Sequence, residues 1–137
     1  MPYEESSVHE ITSLTYCEKD AGPYITAGMA LARDSDTGTY NLSFHRLQLV
    51  DDSKLRFRIT PGNHLETLFE KEERRGQPLE LAILLGGHPA LMLAAASRLP
   101  LDQDELKLAG AFLGEPVTMR PCRKINLEVP TGIDWKL

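Results

Sequence analysis

Three extended segments between Tyr24 and Ile59, separated only by turn formers, constrain this chain more than any other feature. Residues 24–33 (YITAGMALAR) follow the turn signal Gly22-Pro23 and read as a short, mostly buried strand. Residues 34–38 (DSDTG) are dense in turn formers and predict a tight reversal. Tyr40, Leu42, Phe44, Leu47 and Leu49 then nearly alternate, so residues 40–50 read as the partner strand. Asp51-Asp52-Ser53 makes a second turn, after which Leu55, Phe57 and Ile59 alternate with Arg56 and Arg58 as a third, half-buried strand. Consecutive hairpin-linked strands predict an antiparallel sheet or small barrel.

Helices follow. Pro61-Gly62 stops the third strand, and Asn63 is suited to cap a helix running to about residue 75. Leu65, Leu68 and Phe69 share one face of it, and the Glu-Lys-Glu-Glu-Arg-Arg run is its solvated side. Residues 79–85 are nearly all apolar and read as a central strand. Pro89 suits the first turn of a second helix over 88–99, and Asp102 and Asp104 precede a third over 105–113, stopped by Gly114 and Pro116. Residues 117–129 read as one long strand closed by Pro130, with Arg120, Arg123 and Lys124 on an exposed face. The order β-β-β-α-β-α-α-β predicts an α+β fold, or a barrel with inserted helices.

At 137 residues the chain suits one domain rather than two. A net charge of −5 with scattered basic residues argues against nucleic acid, whose phosphates call for clustered Lys and Arg. The longest apolar run, residues 79–92, is broken by Glu80, Gly86, Gly87, His88 and Pro89, so no membrane span is expected. The N-terminal MPYEESS is acidic and polar, unlike a secretory signal. Cys17 and Cys122 have no metal-type spacing and read as reduced thiols, so a cytoplasmic protein is expected.

Short catalytic motifs are missing: there is no Gly-rich phosphate loop, HExxH, CxxC or GxSxG. Gly86-Gly87-His88-Pro89 lies where a strand meets a helix and could hold an anion, although a plain tight turn explains it more simply. His9, His45, His64 and His88 are unevenly spaced, and each alone is more often structural or exposed than a ligand. Glu105 at a helix start is favoured by the dipole without any functional role. Arg46 sits inside an otherwise apolar strand, which a salt bridge explains as well as catalysis does. On composition and spacing alone, the function of this α+β domain is unreadable.

Motif order adds what spacing does not. Residues 25–50 (ITAGMALARDSDTGTYNLSFHRLQLV) resemble a stretch of UbiD-like enzymes in which an "ITxG" strand, a "DPETG"-like turn and an "NxGxxR" strand follow one another. Residues 79–93 (LELAILLGGHPALML) resemble that family's "ALGxDPA" segment, and DELKLAGAFLGEP (104–116) and NLEVP (126–130) continue the likeness. Lys19-Asp20-Ala21-Gly22-Pro23 is similar to the family's lead-in to this domain. Five pieces in the same order, with compatible spacing, make the resemblance specific.

The resemblance implies a split β-barrel, flavin-binding core with about three packed helices. It also implies reversible, non-oxidative decarboxylation of an aromatic or α,β-unsaturated acid. The cofactor would be prenylated FMN, delivered by a flavin prenyltransferase, with its phosphate held through Mn2+ and with K+ possible nearby. Carried over by motif, Asn41, His64 and Glu105 would be the metal ligands and so cofactor-binding. Arg46 would lie beside flavin and substrate carboxylate as the catalytic arginine. A hard cation on a phosphate suits oxygen ligands with one imidazole. A guanidinium suits a bidentate grip on a carboxylate.

Two departures accompany the resemblance. Ser43 replaces the usual Gly of "NxGxxR". After Pro130 the chain reads Thr-Gly-Ile-Asp-Trp-Lys-Leu, where the family continues to its "EIVLEG" segment and catalytic acid. The expected layout is therefore an N-terminal extension (1–17), a UbiD-like cofactor-binding domain (18–131) and a tail (132–137), with the general acid and C-terminal domain outside these residues. Two rivals stand beside this part-enzyme: a small subunit whose partner supplies the acid, and a cofactor-free interaction module on the same fold.

Overall fold

The computed structural model describes residues 8–11 and 13–136; the polar stretch 1–7 lies outside the described residues. Among the described residues a 3-10 turn (Val8–Glu10) precedes seven strands and three helices. They are β1 (Tyr24–Arg33), β2 (Tyr40–Asp51), β3 (Lys54–Phe57), α1 (His64–Arg74), β4 (Leu81–Leu85), α2 (Pro89–Ala96), α3 (Glu105–Leu113), β5 (Met119–Pro121), β6 (Glu128–Pro130) and β7 (Trp135–Lys136). The main sheet is antiparallel in the order β3-β2-β1-β4-β7, and β5 pairs with β6 in a separate ribbon. This is the α+β class expected, with a sheet that does not close on itself among the described residues.

Burial explains why β1 does not alternate. Met29 and Leu31 point to one side of the sheet, where Leu42, Leu84, α2 (Leu91, Ala94, Ala95), α3 (Leu106, Ala109) and the ribbon (Leu127, Val129) form one core. Ala30 and Ala32 point to the other side, where Leu47, Leu49, Ile83 and α1 (Leu65, Leu68) form a second. A strand covered on both faces is apolar at successive positions. Met29, Leu31, Leu42, Leu47, Leu65 and Leu84 are fully buried; each such side chain contributes about 2–3 kcal/mol of transfer free energy.

Between Ile25 and Gly28 the β1–β2 register slips by a bulge, opposite Arg46. The second helix ends at Ala96 rather than 99: Ser97 is its C-cap, with extended backbone, its N–H bonded to Ala94 O and its hydroxyl to Leu93 O.

The long strand expected over 117–129 is instead a hairpin. Its two arms, β5 and β6, pair Met119 with Pro130 and Pro121 with Glu128, and Cys122 N donates to Leu127 O at 2.7 Å to close the loop. The chain reverses through residues 123–126, just beyond that bond. Arg123 and Lys124 therefore sit in a loop rather than on a strand face.

At the other end, β7 pairs Leu85 with Trp135, so residues past Pro130 join the main sheet. Cys17 and Cys122 are free thiols. Among the described residues no helix is long and apolar enough to cross a membrane.

Candidate functional site

β2 outruns β3. Pairing with β3 covers only Leu47 to Asp51, so the outer edge of β2 around Tyr40 to Ser43 has no strand beside it. The start of α3 fills that gap. Asp104 caps the helix through Oδ1, which accepts from Leu106 N, while its Oδ2 accepts from Tyr40 N at 3.2 Å. Glu105 Oε2 accepts from Leu42 N at 3.2 Å. Two carboxylates on a helix N-terminus thus take the hydrogen bonds a neighbouring strand would have made.

A second helix start converges on the same place. Thr60-Pro61-Gly62-Asn63 is a reversal in which Asn63 N donates to Thr60 O and Gly62 has φ +79°, a pattern that asks for Pro then Gly. Asn63 leaves the turn as the expected N-cap, its side chain accepting from Leu65 N. His64, the first residue of α1, is thereby set beside α3, with Nδ1 4.0 Å from Glu105 Oε1. Asn41 Nδ2 donates to the same oxygen at 3.3 Å.

Asn41, His64 and Glu105 therefore meet, although they are far apart in the chain. Among the described residues no group of three or more His, Cys, Asp and Glu gathers in metal-holding proximity; this cluster is one imidazole, one carboxylate and one amide. Glu105 is 3% exposed and Asn41 6%. Burial pushes the Glu105 carboxyl above its usual range, while main-chain N–H groups and nearby His64 pull it back. An open cleft of about 780 Å3 adjoins the cluster, walled by β2, by the 60–64 turn and by Ser97, Arg98 and Leu99 beyond α2. It combines oxygen donors, two helix N-termini and an arginine, a setting suited to a cation with an anion against it.

Arg46 stands apart from this cluster. It is exposed and projects from the β2 face opposite to Asn41, with its guanidinium over the Tyr24 ring at 4.8 Å. No salt bridge is needed to account for it. Phe44, 37% exposed, shares its face.

Gly86-Gly87 behaves as the plain tight turn. Both glycines have positive φ, and the concave side is filled by Asp134 against Gly86 and Ile133 against Gly87. His88 serves as N-cap of α2, its Nδ1 accepting from Ala90 N. His9 has no described side chain.

Two residues named in the sequence without a site role, Ser43 and His45, join the neighbourhood of Asn41. Ser43 Oγ lies 3.3 Å from Asn41 Oδ1 and 3.0 Å from His45 Nε2, so Asn41, Ser43 and His45 form a polar line on one face of β2. Their i, i+2, i+4 spacing on a strand was the available signal.

Comparison with known proteins places the chain in a family. The family pattern described as "UbiD: 3-octaprenyl-4-hydroxybenzoate carboxy-lyase Rift-related domain" matches residues 2–135. An anhydromevalonate phosphate decarboxylase of Methanothermobacter thermautotrophicus is 41% identical over 125 residues, covering 91% of this chain and 29% of that protein. Its namesake in Methanocaldococcus jannaschii is 46% identical over 99 residues, covering 72% and 23%. An evolved dimeric form of the UbiD-class enzyme HmfF from Pelotomaculum thermopropionicum, solved in complex with prFMN, superposes with a TM-score of 0.86 at 41% identity, over 95% of this chain and 30% of that one. The chain thus spans less than a third of the length of each of these proteins.

Proposed function

The chain belongs to the UbiD family, and from that premise we propose that it forms the cofactor-holding part of a carboxy-lyase acting on an aromatic or α,β-unsaturated acid. The observation that carries the reading is the meeting of Asn41, His64 and Glu105 at the mouth of the cleft. Asn41, His64 and Glu105 would hold a divalent cation such as Mn2+, which would supply positive charge for the phosphate of prenylated FMN. One carboxylate leaves the cation with positive charge to attract a phosphate, and the imidazole adds a borderline donor. Prenylated FMN, when bound, supplies the electron sink that decarboxylation requires.

The chain's own residues do the binding and orienting. The N-terminus of α1 faces the cleft and adds the positive end of its dipole there, although its Leu65 N–H is already taken by the Asn63 cap. Arg98 lines the same cleft and adds positive charge. Burial of Glu105 makes its negative charge costly in isolation, so a cation that neutralises it is favoured. Arg46, backed by Tyr24, offers a guanidinium on the opposite face of β2, where a substrate carboxylate could be gripped. The two curated relatives described above act on anhydromevalonate phosphate by name, which agrees with an unsaturated-acid substrate here.

The proton-donating acid is proposed to come from outside residues 1–137, either from further sequence or from a partner subunit. Leu93 and Phe112, 59% and 52% exposed on α2 and α3, are large apolar side chains suited to contact that neighbour. Stoichiometric co-purification of a second chain from the native host would favour the subunit form of the reading.

Titration of the chain with prenylated FMN, with and without Mn2+, tests the proposal through flavin absorbance and fluorescence. Saturable binding that needs manganese and is lost in His64→Ala is expected. Binding that ignores the metal, or survives Ala at Asn41, His64 and Glu105 together, would sink it and favour a cofactor-free interaction module.

A further inference from the structure

Ser43 stands between two partners that compete for its single proton. Its hydroxyl oxygen is 3.3 Å from Asn41 Oδ1 and 3.0 Å from His45 Nε2. A hydroxyl donates once and accepts with its lone pairs, so it can donate to only one of them.

The state of His45 decides which. The ring is 6% exposed and packs tilted against Phe57, with centroids 5.3 Å apart. Burial lowers its pKa, against an opposing main-chain hydrogen bond at Arg58. Burial thus favours the neutral ring, which has one N–H to give. An N–H committed to the Arg58 carbonyl leaves Nε2 as a bare acceptor. Ser43 then gives its proton to Nε2 and turns a lone pair toward Asn41.

Asn41 has two ways to answer. In one orientation Nδ2 donates to Glu105 Oε1 and Oδ1 takes the Ser43 proton, which His45 Nε2 then lacks. A half-turn of the amide exchanges the two atoms with almost no change in shape. Nδ2 then donates to Ser43 Oγ, and Oδ1 faces Glu105 and His64. Two oxygens facing each other repel unless a cation lies between them, so the turned amide and a bound cation stabilise one another.

We propose that Ser43 is a positioning residue for a divalent cation: passing its proton to His45 and accepting the Asn41 N–H, it turns Asn41 Oδ1 toward Glu105 and His64. The inference rests on the cation reading above and goes beyond it. It gives a role to the residue at which this chain departs from the glycine of the family motif.

The test is Mn2+ titration of the full chain in saturating FMN, followed by the electron paramagnetic resonance of free Mn2+, with thermal unfolding of each variant. Orientation of a ligand by an outer partner is worth about 10- to 100-fold in metal affinity, so Ser43→Ala should weaken Mn2+ by about tenfold or more while Ser43→Thr stays within about threefold. His45→Phe, which keeps the packing on Phe57, should weaken it comparably, because the serine proton returns to Asn41 Oδ1.

Parent-like affinity in Ser43→Ala overturns the proposal while leaving the cation reading intact. Equal weakening in Ser43→Ala and Ser43→Thr, matched by equal loss of thermal stability, overturns it in favour of a packing role. Failure of the parent chain to bind Mn2+ overturns the cation reading and this proposal with it.

Discussion

Glu105 Oε2 accepts the main-chain N–H of Leu42 across 3.2 Å, so a helix side chain completes the edge of a strand. The same carboxylate is the negative member of the candidate cation cluster. Structural and chemical roles therefore share one residue, and substitutions can separate them.

Glu105→Ala should leave the Leu42 N–H buried without an acceptor, at a cost of about 1–3 kcal/mol. Glu105→Gln keeps an acceptor there and should cost less, yet abolish manganese-dependent flavin binding. Urea denaturation read beside a metal titration checks both halves; equal destabilisation by the two substitutions would contradict the first.

The pH dependence of stability carries two opposed contributions. Burial lowers the His45 pKa from 6.5, so the unfolded chain binds the extra proton first and stability is lost as pH falls below about 6.5. Burial raises the Glu105 pKa above 4.5, so its contribution is present below that value and is lost as pH rises through the raised folded value. Denaturation midpoints between pH 4 and 8, measured with a chelator present, should steepen upward with pH in Glu105→Gln. In His45→Phe they should instead decline as pH rises. Unchanged profiles in both variants would show that neither group governs this range.

Gly86→Ala should destabilise the C-terminal strand. The residue has φ +74°, and an added Cβ would collide with the Asp134 side chain. The left-handed conformation alone costs a non-glycine residue about 1–2 kcal/mol. Displacing Asp134 would also loosen the pairing of Trp135 with Leu85. Faster hydrogen exchange at the β4 amides that face β7 is the expected readout, and parent-like protection there would refute it.

Arg46→Ala removes an exposed guanidinium from the Tyr24 ring, an interaction worth about 1 kcal/mol or less at such a site. The thermal midpoint should barely move and Mn2+ affinity should hold, because Asn41 lies on the other strand face. Loss of turnover in a complete enzyme carrying this change would then report chemistry rather than folding.

Much of the fold was legible because its signals are local. β1 and α3 begin and end where their patterns predict, at Tyr24–Arg33 and Glu105–Leu113, and Asn63 caps α1 as expected. The 117–129 segment was misread because apolar residues recur on both arms of the hairpin, while the reversal at 123–126 (Arg-Lys-Ile-Asn) carries no Gly or Pro to announce it. β7, at two residues, is too short to show any period.

The site was legible only in part. Motif order pointed to Asn41, His64 and Glu105, but no local rule says that two helix starts will meet beside an uncovered strand edge. Ser43 was read only as a departure from the motif glycine and His45 only as one of four unevenly spaced histidines, because their link to Asn41 depends on side-chain positions that motif order does not give.

The two faces of β2 impose a restriction on how such a strand can diverge. Asn41, Ser43 and His45 project to one side, and Leu42, Phe44 and Arg46 to the other. Inserting or deleting one residue between Asn41 and Arg46 would exchange every side chain beyond that point between the two surfaces. Divergence along this strand is thus confined to replacements at fixed length, and longer or shorter versions must find their variation in the 34–38 or 51–53 turns instead.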